Sequence, residues 1–287
     1  MKHCRAGGGQ LIFLLAAVLC AVAAETPKLT FTYTTIKVKG AQSTALFGIN
    51  NAGVMVGAYV DSSNVTHGFR LANGKVKKID DPNGVLTYCF GINNAGAIVG
   101  YYATSSFTTQ AFLYKNGTFT DIGPTGATGS QAIGINDHGD VNGNYGDSSG
   151  ASHGFLLKAG KYTTLDVPGA AYTLGGGINN AGLMTEVWLD PSFNSQSSLY
   201  NGKKFTTINV PGEVDTYVGG INNLGDIVYS WETSEVYGAA LRHAGKFYKF
   251  HVPHQDRTWG YGINDKNMIV GAFTTEKQAL EGFSATY

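Results

Sequence analysis

The chain has 287 residues, with 20 basic side chains against 20 acidic ones, 40 glycines and three cysteines. Balanced charge excludes nucleic-acid binding through a bulk basic surface. A glycine-rich, charge-poor composition fits tight turns between half-buried strands rather than disorder, and the length is enough to bury an ample core.

Residues 1–24 read as an export signal: Lys2 and Arg5 make a basic start, residues 11–22 an apolar core, and Ala21, Ala23 and Ala24 a small-residue step before Glu25. The mature protein is therefore expected outside the cytoplasm, extracellular or periplasmic. Leu19 precedes Cys20 where a lipid-anchored protein would carry a small residue. No other apolar run is long enough to span a bilayer. Cys4 and Cys20 leave with the signal, so Cys89 stays alone and packing, without an intramolecular disulfide, must hold the fold.

From residue 25 to 287 one pattern governs the chain. A Gly-Ile-Asn triplet begins at Gly48, Gly91, Gly134, Gly177, Gly220 and Gly262, spaced by 43 residues at four steps and 42 at the last. The fourth repeat shows the grammar: residues 162–167, 173–179, 183–189 and 196–200 read as strands, Asn180-Ala181-Gly182 as a three-residue hairpin loop and Asn201-Gly202 as a second short turn. Self-similar units of this length with four short strands predict an all-β fold, a six-bladed β-propeller of four-stranded blades, because one blade cannot bury both its faces alone. Short turns fall at one end of every blade and variable loops at the other.

Residues 33–38 (Tyr-Thr-Thr-Ile-Lys-Val) match residues 162–167 (Tyr-Thr-Thr-Leu-Asp-Val), so the N-terminal strand is predicted to complete the last blade and close the ring, removing an open sheet edge. Counting back from each hairpin loop gives expected cross-strand pairs of Phe47 with Gly57, Phe90 with Gly100, Ile133 with Gly143, Gly176 with Glu186, Gly219 with Tyr229 and Tyr261 with Gly271. Each joins one glycine to one large residue, which keeps local volume constant.

Another recurrent step reads His67-Gly68-Phe69, Gln110-Ala111-Phe112 and His153-Gly154-Phe155, decays to Gln196-Ser197-Ser198 and Gly238-Ala239-Ala240, and returns as Glu281-Gly282-Phe283. With the asparagine-glycine turn and the Gly-Ile-Asn strand end, it resembles the HAF-repeat family of extracellular bacterial proteins over nearly the whole mature chain. The resemblance implies a secreted repeat protein and carries over no catalytic residue.

Several groups bear on chemistry. Asn50, Asn93, Asn136, Asn179, Asn222 and Asn264 share one strand-to-turn step and are expected to stabilise turns. Thr44, Thr87, Ser130, Thr173, Thr216 and Thr258 are expected to ring a water-filled channel mouth. Gly146-Asp147-Ser148-Ser149-Gly150 matches the hydrolase pattern glycine-x-serine-x-glycine, but it lies between strands and is repeated in kind at Asp61-Ser62-Ser63, so it reads as loop vocabulary. His251, His254 and Asp256 lack the spacing of a metal site.

The fourth and fifth repeats depart most from the pattern. Glu186, Trp188, Tyr229, Trp231 and Glu232 lie on or beside matching strands of adjacent units, with Glu213 and Asp215 on the loop between. Flat aromatic faces and carboxylates together suit a sugar. The expected function is a monomeric, non-catalytic recognition or scaffold module for an extracellular glycan or protein, with Glu186, Trp188, Tyr229, Trp231, Glu232 and Asp215 as its ligand surface and neither cofactor nor metal. The alternative is a polysaccharide-acting enzyme using Glu186, Glu213, Asp215 and Glu232 as acid and base, for which carboxylates must converge across one cleft. Architecture alone does not choose between them.

Overall fold

The computed structural model describes residues 29–233, 236–276 and 278–287; the expected export signal, residues 1–24, lies outside them. Four repeats each form a separate four-stranded antiparallel blade. The first comprises β2 (Ser43–Ile49), β3 (Met55–Val60), β4 (Thr66–Ala72) and β5 (Lys75–Lys78), and the second β6 (Leu86–Ile92), β7 (Ile98–Ala103), β8 (Thr109–Lys115) and β9 (Thr118–Asp121). The third comprises β10 (Gly129–Ile135), β11 (Val141–Gly146), β12 (Ser152–Lys158) and β13 (Lys161–Leu165), and the fourth β14 (Tyr172–Ile178), β15 (Met184–Leu189), β16 (Ser195–Tyr200) and β17 (Phe205–Thr207). The remaining strands form one eight-stranded sheet. Its halves are β18 (Asp215–Ile221), β19 (Ile227–Glu232), β20 (Tyr237–His243) and β21 (Lys246–Phe250), then β22 (Arg257–Ile263), β23 (Met268–Thr274), β24 (Leu280–Thr286) and β1 (Thr32–Ile36). They are joined through a single parallel pairing, Tyr237 with Arg257. The architecture is a β-propeller of four-stranded blades.

β1 lies antiparallel on β24 from Thr32 opposite Thr286 to Ile36 opposite Gly282, as the match of residues 33–38 predicts. Phe31 stacks on Phe250 at 4.7 Å and Tyr33 meets the edge of Phe283 at 5.9 Å, so this strand brings apolar surface as well as backbone pairing.

The Gly-Ile-Asn strands are innermost, and their ends are bound to one another. Asn50 Oδ1 accepts from the N–H groups of Ala52 and Val54, both at 3.0 Å, while its Nδ2 donates to the carbonyl of Asn93 at 3.1 Å. Asn93, Asn136, Asn179 and Asn222 reach the next unit in the same way, and Asn264 returns to the carbonyl of Asn50 at 3.0 Å. These asparagines hold turns, as expected, and also join units. A second ring runs one residue on, from Asn51 through Asn94, Asp137, Asn180, Asn223 and Asp265 back to Asn51, each backbone N–H donating to the next side-chain oxygen.

Two expectations are corrected. Every inner hairpin shifts register by one residue at the entry to its Gly-Ile-Asn, so Leu46, not Phe47, faces Gly57, and Cys89, not Phe90, faces Gly100. The same shift places Ala132 opposite Gly143, Gly175 opposite Glu186, Val218 opposite Tyr229 and Gly260 opposite Gly271. The bulged Phe47, Phe90, Ile133 and Tyr261 line the central cavity instead, with Phe47 lying 4.7 Å from Phe90 and 5.2 Å from Tyr261. The hydroxyls expected around the channel mouth are buried. Thr44, Thr87, Ser130, Thr173 and Thr258 accept backbone N–H groups from Val38, Asp81, Ala111, Val167 and Val252, and Thr216 donates to Asn209.

The exchange of volume is real but sits one strand farther out. Gly57, Gly100, Gly143 and Gly271 face Phe69, Phe112, Phe155 and Phe283, four fully buried rings. A Cβ on Gly143 or Gly271 would meet its ring at 2.8 or 2.7 Å. Where the ring is lost the glycine is lost with it: Glu186 faces Ser198 and Tyr229 faces Ala240.

That coupling predicts the outcome of restoring the common pair in the fourth blade. Glu186→Gly should open a cavity and Ser198→Phe should overpack, each costing about 1–4 kcal/mol in denaturant unfolding, while the double variant recovers much of the loss. Strict additivity would show that the two side chains do not share space. Deleting residues 29–40 should expose β24 as an open edge, with a lower melting temperature and self-association in size-exclusion chromatography; a truncated monomer melting with the parent would show that β1 is dispensable.

Candidate functional site

The six residues expected to form one ligand surface divide into two groups. Glu186 and Tyr229 are fully buried and Trp231 is 7% exposed, whereas Trp188, Asp215 and Glu232 are half-buried near the variable-loop end. The first three occupy the core and cannot belong to an exposed surface.

Glu186 fills space that a phenylalanine ring takes elsewhere. Its Oε1 accepts from Asn142 Nδ2 at 3.1 Å, and its Oε2 has no partner among the described residues. Burial raises its pKa well above 4.5, against the smaller opposing effect of the Asn142 hydrogen bond, and so favours the neutral acid. Tyr229 is its counterpart in the fifth repeat, 5.4 Å from Phe247, with its hydroxyl raised by burial. The Trp231 indole covers Gly238, where a Cβ would lie 2.3 Å from the ring, and donates to the Ala239 carbonyl at 3.4 Å. Lys249 sits 5.0 Å from the ring centroid and His251 meets it edge-on at 5.8 Å.

The rim residues have free surface. Asp215 Oδ1 accepts the Ser195 N–H at 2.6 Å, which ties β18 of one blade to the first residue of β16 of the other. Asp215 lies opposite Glu232 in register, and Glu232 Oε1 accepts from the Tyr217 hydroxyl at 2.8 Å. Burial, with the Glu232 bond adding to it, pushes that phenol up to about 12. Glu213 is ion-paired with Lys249 and its side chain is 7% exposed. Of the four carboxylates of the acid-base alternative, Glu186 is sealed in the core and Glu213 is ion-paired, while Asp215 and Glu232 lie opposite each other at the rim.

The other motifs resolve into loop structure. Asp61, Asp147 and Asp190 each accept two backbone N–H groups of the loop that follows, from Ser63 and Val65, Ser149 and Ala151, and Ser192 and Asn194. In the first and third repeats a histidine is set between two carboxylates, His67 between Asp61 and Asp80 and His153 between Asp147 and Asp166. Burial opposes the charged form of His153, but the two aspartates outweigh it and raise its pKa. Among the described residues no cluster of histidine, cysteine and carboxylate groups suits a metal ion.

Two rim residues escape sequence reasoning. In five of the blades the loop between the second and third strands carries a left-handed residue, a slot held by Asn64, Gly150 and Gln278 in three of them. In the second and fourth it is held by Phe107 and Phe193, at φ 61° and 63°, with 76% and 67% of their surface exposed. A phenylalanine there costs about 1–2 kcal/mol relative to glycine and returns little packing. Aligning the repeats puts these residues in one column, but the positive φ that makes them unusual is visible only in the structure.

Glu186 makes stability depend on pH. A carboxyl whose pKa is raised by folding takes up a proton on folding once the pH passes the unfolded value, so its contribution is most favourable below about 4.5 and falls as pH rises toward the folded pKa. Glu186→Gln should therefore flatten the decline in melting temperature as the pH rises above about 4.5. Parallel profiles for variant and parent would show that the carboxyl does not titrate in that window.

No family model and no curated protein matches the chain. Solved structures do. The Aleuria aurantia lectin, described as a six-bladed β-propeller with a novel mode of fucose recognition, aligns at TM-score 0.54 and 11% identity over 88% of this chain and 93% of its own. SapL1 lectin in complex with alpha methyl fucoside aligns at TM-score 0.58 and 10% identity over 85% and 93%. The β-propeller domain of the Trilobed protease from Pyrococcus furiosus, with an open velcro topology, aligns at TM-score 0.54 and 13% identity over 86% and 82%. At these identities the likeness is one of fold: this chain shares the β-propeller architecture of lectins and of a protease domain.

Proposed function

We propose that this protein is an exported, non-catalytic, six-bladed propeller of the HAF-repeat type that binds an extracellular glycan at its variable-loop rim. The blade count takes the two halves of the eight-stranded sheet as separate blades, and the ring is closed by β1. The observation that carries the binding reading is Phe193, held left-handed and two-thirds exposed on the loop leading into Ser195, whose N–H is bonded to Asp215. An exposed ring offers a stacking face for the C–H surface of a sugar, and the remaining lone pairs of Asp215 and Glu232 can accept its hydroxyls. The lectin folds named above lend the ligand class support by analogy.

On a glycan array, the wild-type protein should retain a defined set of glycans, and Phe193→Ala and Glu232→Gln should each weaken that set by about tenfold with an unchanged melting temperature. Incubation with the retained glycans should release no product. Binding insensitive to both substitutions would move the site elsewhere, and product release would restore the enzymatic alternative.

A further inference from the structure

The cleft between the second and third blades repeats the geometry of the Phe193 rim with different chemistry. It has a volume of about 310 Å³ and is walled by Phe107, Thr108, Thr109, Thr128, Gln131 and Asn144. No charged side chain lines it. Gln131 and Asn144 lie opposite each other on β10 and β11, half-buried, and among the described residues neither side-chain amide has a hydrogen-bond partner in the chain. Two unpaired amides thus face a cleft whose rim carries a phenyl ring in a conformation that costs stability and yields little burial.

The comparison with the fourth and fifth blades is direct. Phe107 corresponds to Phe193, Gln131 to Tyr217 and Asn144 to Ser230, while the register pair Gly129 and Gly146 corresponds to the pair Asp215 and Glu232. A Cβ on Gly129 would meet the Thr109 hydroxyl at 2.9 Å, and one on Gly146 the Thr128 hydroxyl at 2.9 Å. The Thr109 and Thr128 hydroxyls therefore stand beside the positions from which the other rim projects its two carboxylates, so the lining here stays neutral.

We infer that this cleft is a second, independent carbohydrate site, selective for a neutral sugar ring stacked on Phe107 and hydrogen-bonded by the Gln131 and Asn144 amides. Amides both donate and accept, which suits a hydroxyl in either sense, and the absence of carboxylates leaves no preference for a cationic sugar. Only the ligand class rests on the glycan reading of the Phe193 rim; the cleft, its free amides and its neutral lining do not.

The test uses an array of neutral, amino-sugar and acidic glycans, probed with the wild type, Phe107→Ala, Asn144→Ala and Phe193→Ala, with each melting temperature measured. Titration calorimetry with the best-retained neutral glycan follows. Phe107→Ala and Asn144→Ala should each weaken neutral glycans by about tenfold and spare those that depend on Phe193. Phe193→Ala should do the reverse. Loss of all binding in Phe193→Ala, with Phe107→Ala unchanged, overturns the second site and leaves the glycan reading standing. Equal weakening of the same glycans by both phenylalanine variants overturns independence in favour of one extended site. An array on which the wild type retains nothing overturns both readings.

Discussion

Closure depends on a side chain that does two things at once. Each Gly-Ile-Asn asparagine is 3–7% exposed, holds its own turn through Oδ1 and spends Nδ2 on the next unit's carbonyl. A neutral hydrogen bond contributes only about 1 kcal/mol, but a buried group left unpaired costs about 1–3 kcal/mol, so losing one asparagine damages two neighbouring units. The outer ring is reinforced by charge. Asp137 accepts amide N–H groups from Asn94 and Asn180, both at 2.8 Å, and Asp265 from Asn51 and Asn223 at 2.7 and 2.9 Å. Burial opposes ionisation of Asp137, yet these bonds outweigh it and hold the carboxyl below its ordinary value.

Around that hub the blades are filled by a layer of phenylalanines lying on glycines. The layer is what lets the fourth and fifth repeats diverge. Once Phe gives way to Ser198 or Ala240, the facing position must grow, and it grows into Glu186 in one blade and Tyr229 in the other. A carboxyl and a phenol at core positions thus follow from conservation of volume, without any part in recognition.

The period, the strand order, the turns and the N-terminal strand's partner were legible because they follow from repetition, which a single chain records six times. Register was not. Counting back from the hairpin loop assumes unbroken alternation, and the bulge before each Gly-Ile-Asn inserts a residue that no turn signal announces, moving Phe47 and Phe90 from the sheet face to the central cavity. The aromatic-acidic patch was half legible for a related reason. Asp215 and Glu232 stand where strands meet loops and reach the rim, but whether Trp231 turns outward or covers Gly238 depends on its neighbour across β20, which the sequence alone does not position.

The inner joint has the same chemistry wherever it falls. The bond from Asn264 to Asn50, at 3.0 Å, spans 214 residues of sequence, and that from Asn50 to Asn93, at 3.1 Å, spans 43. Measured at the hub, the ring has no seam. What distinguishes this joint is the outer edge, where β1 pairs with β24 from the opposite end of the described residues and Phe31 lies 6.1 Å from Tyr287. A chain rejoined across those two aromatics and opened between any other pair of blades would keep every contact of the hub, making this scaffold suited to circular permutation and to moving its tethering point around the circumference.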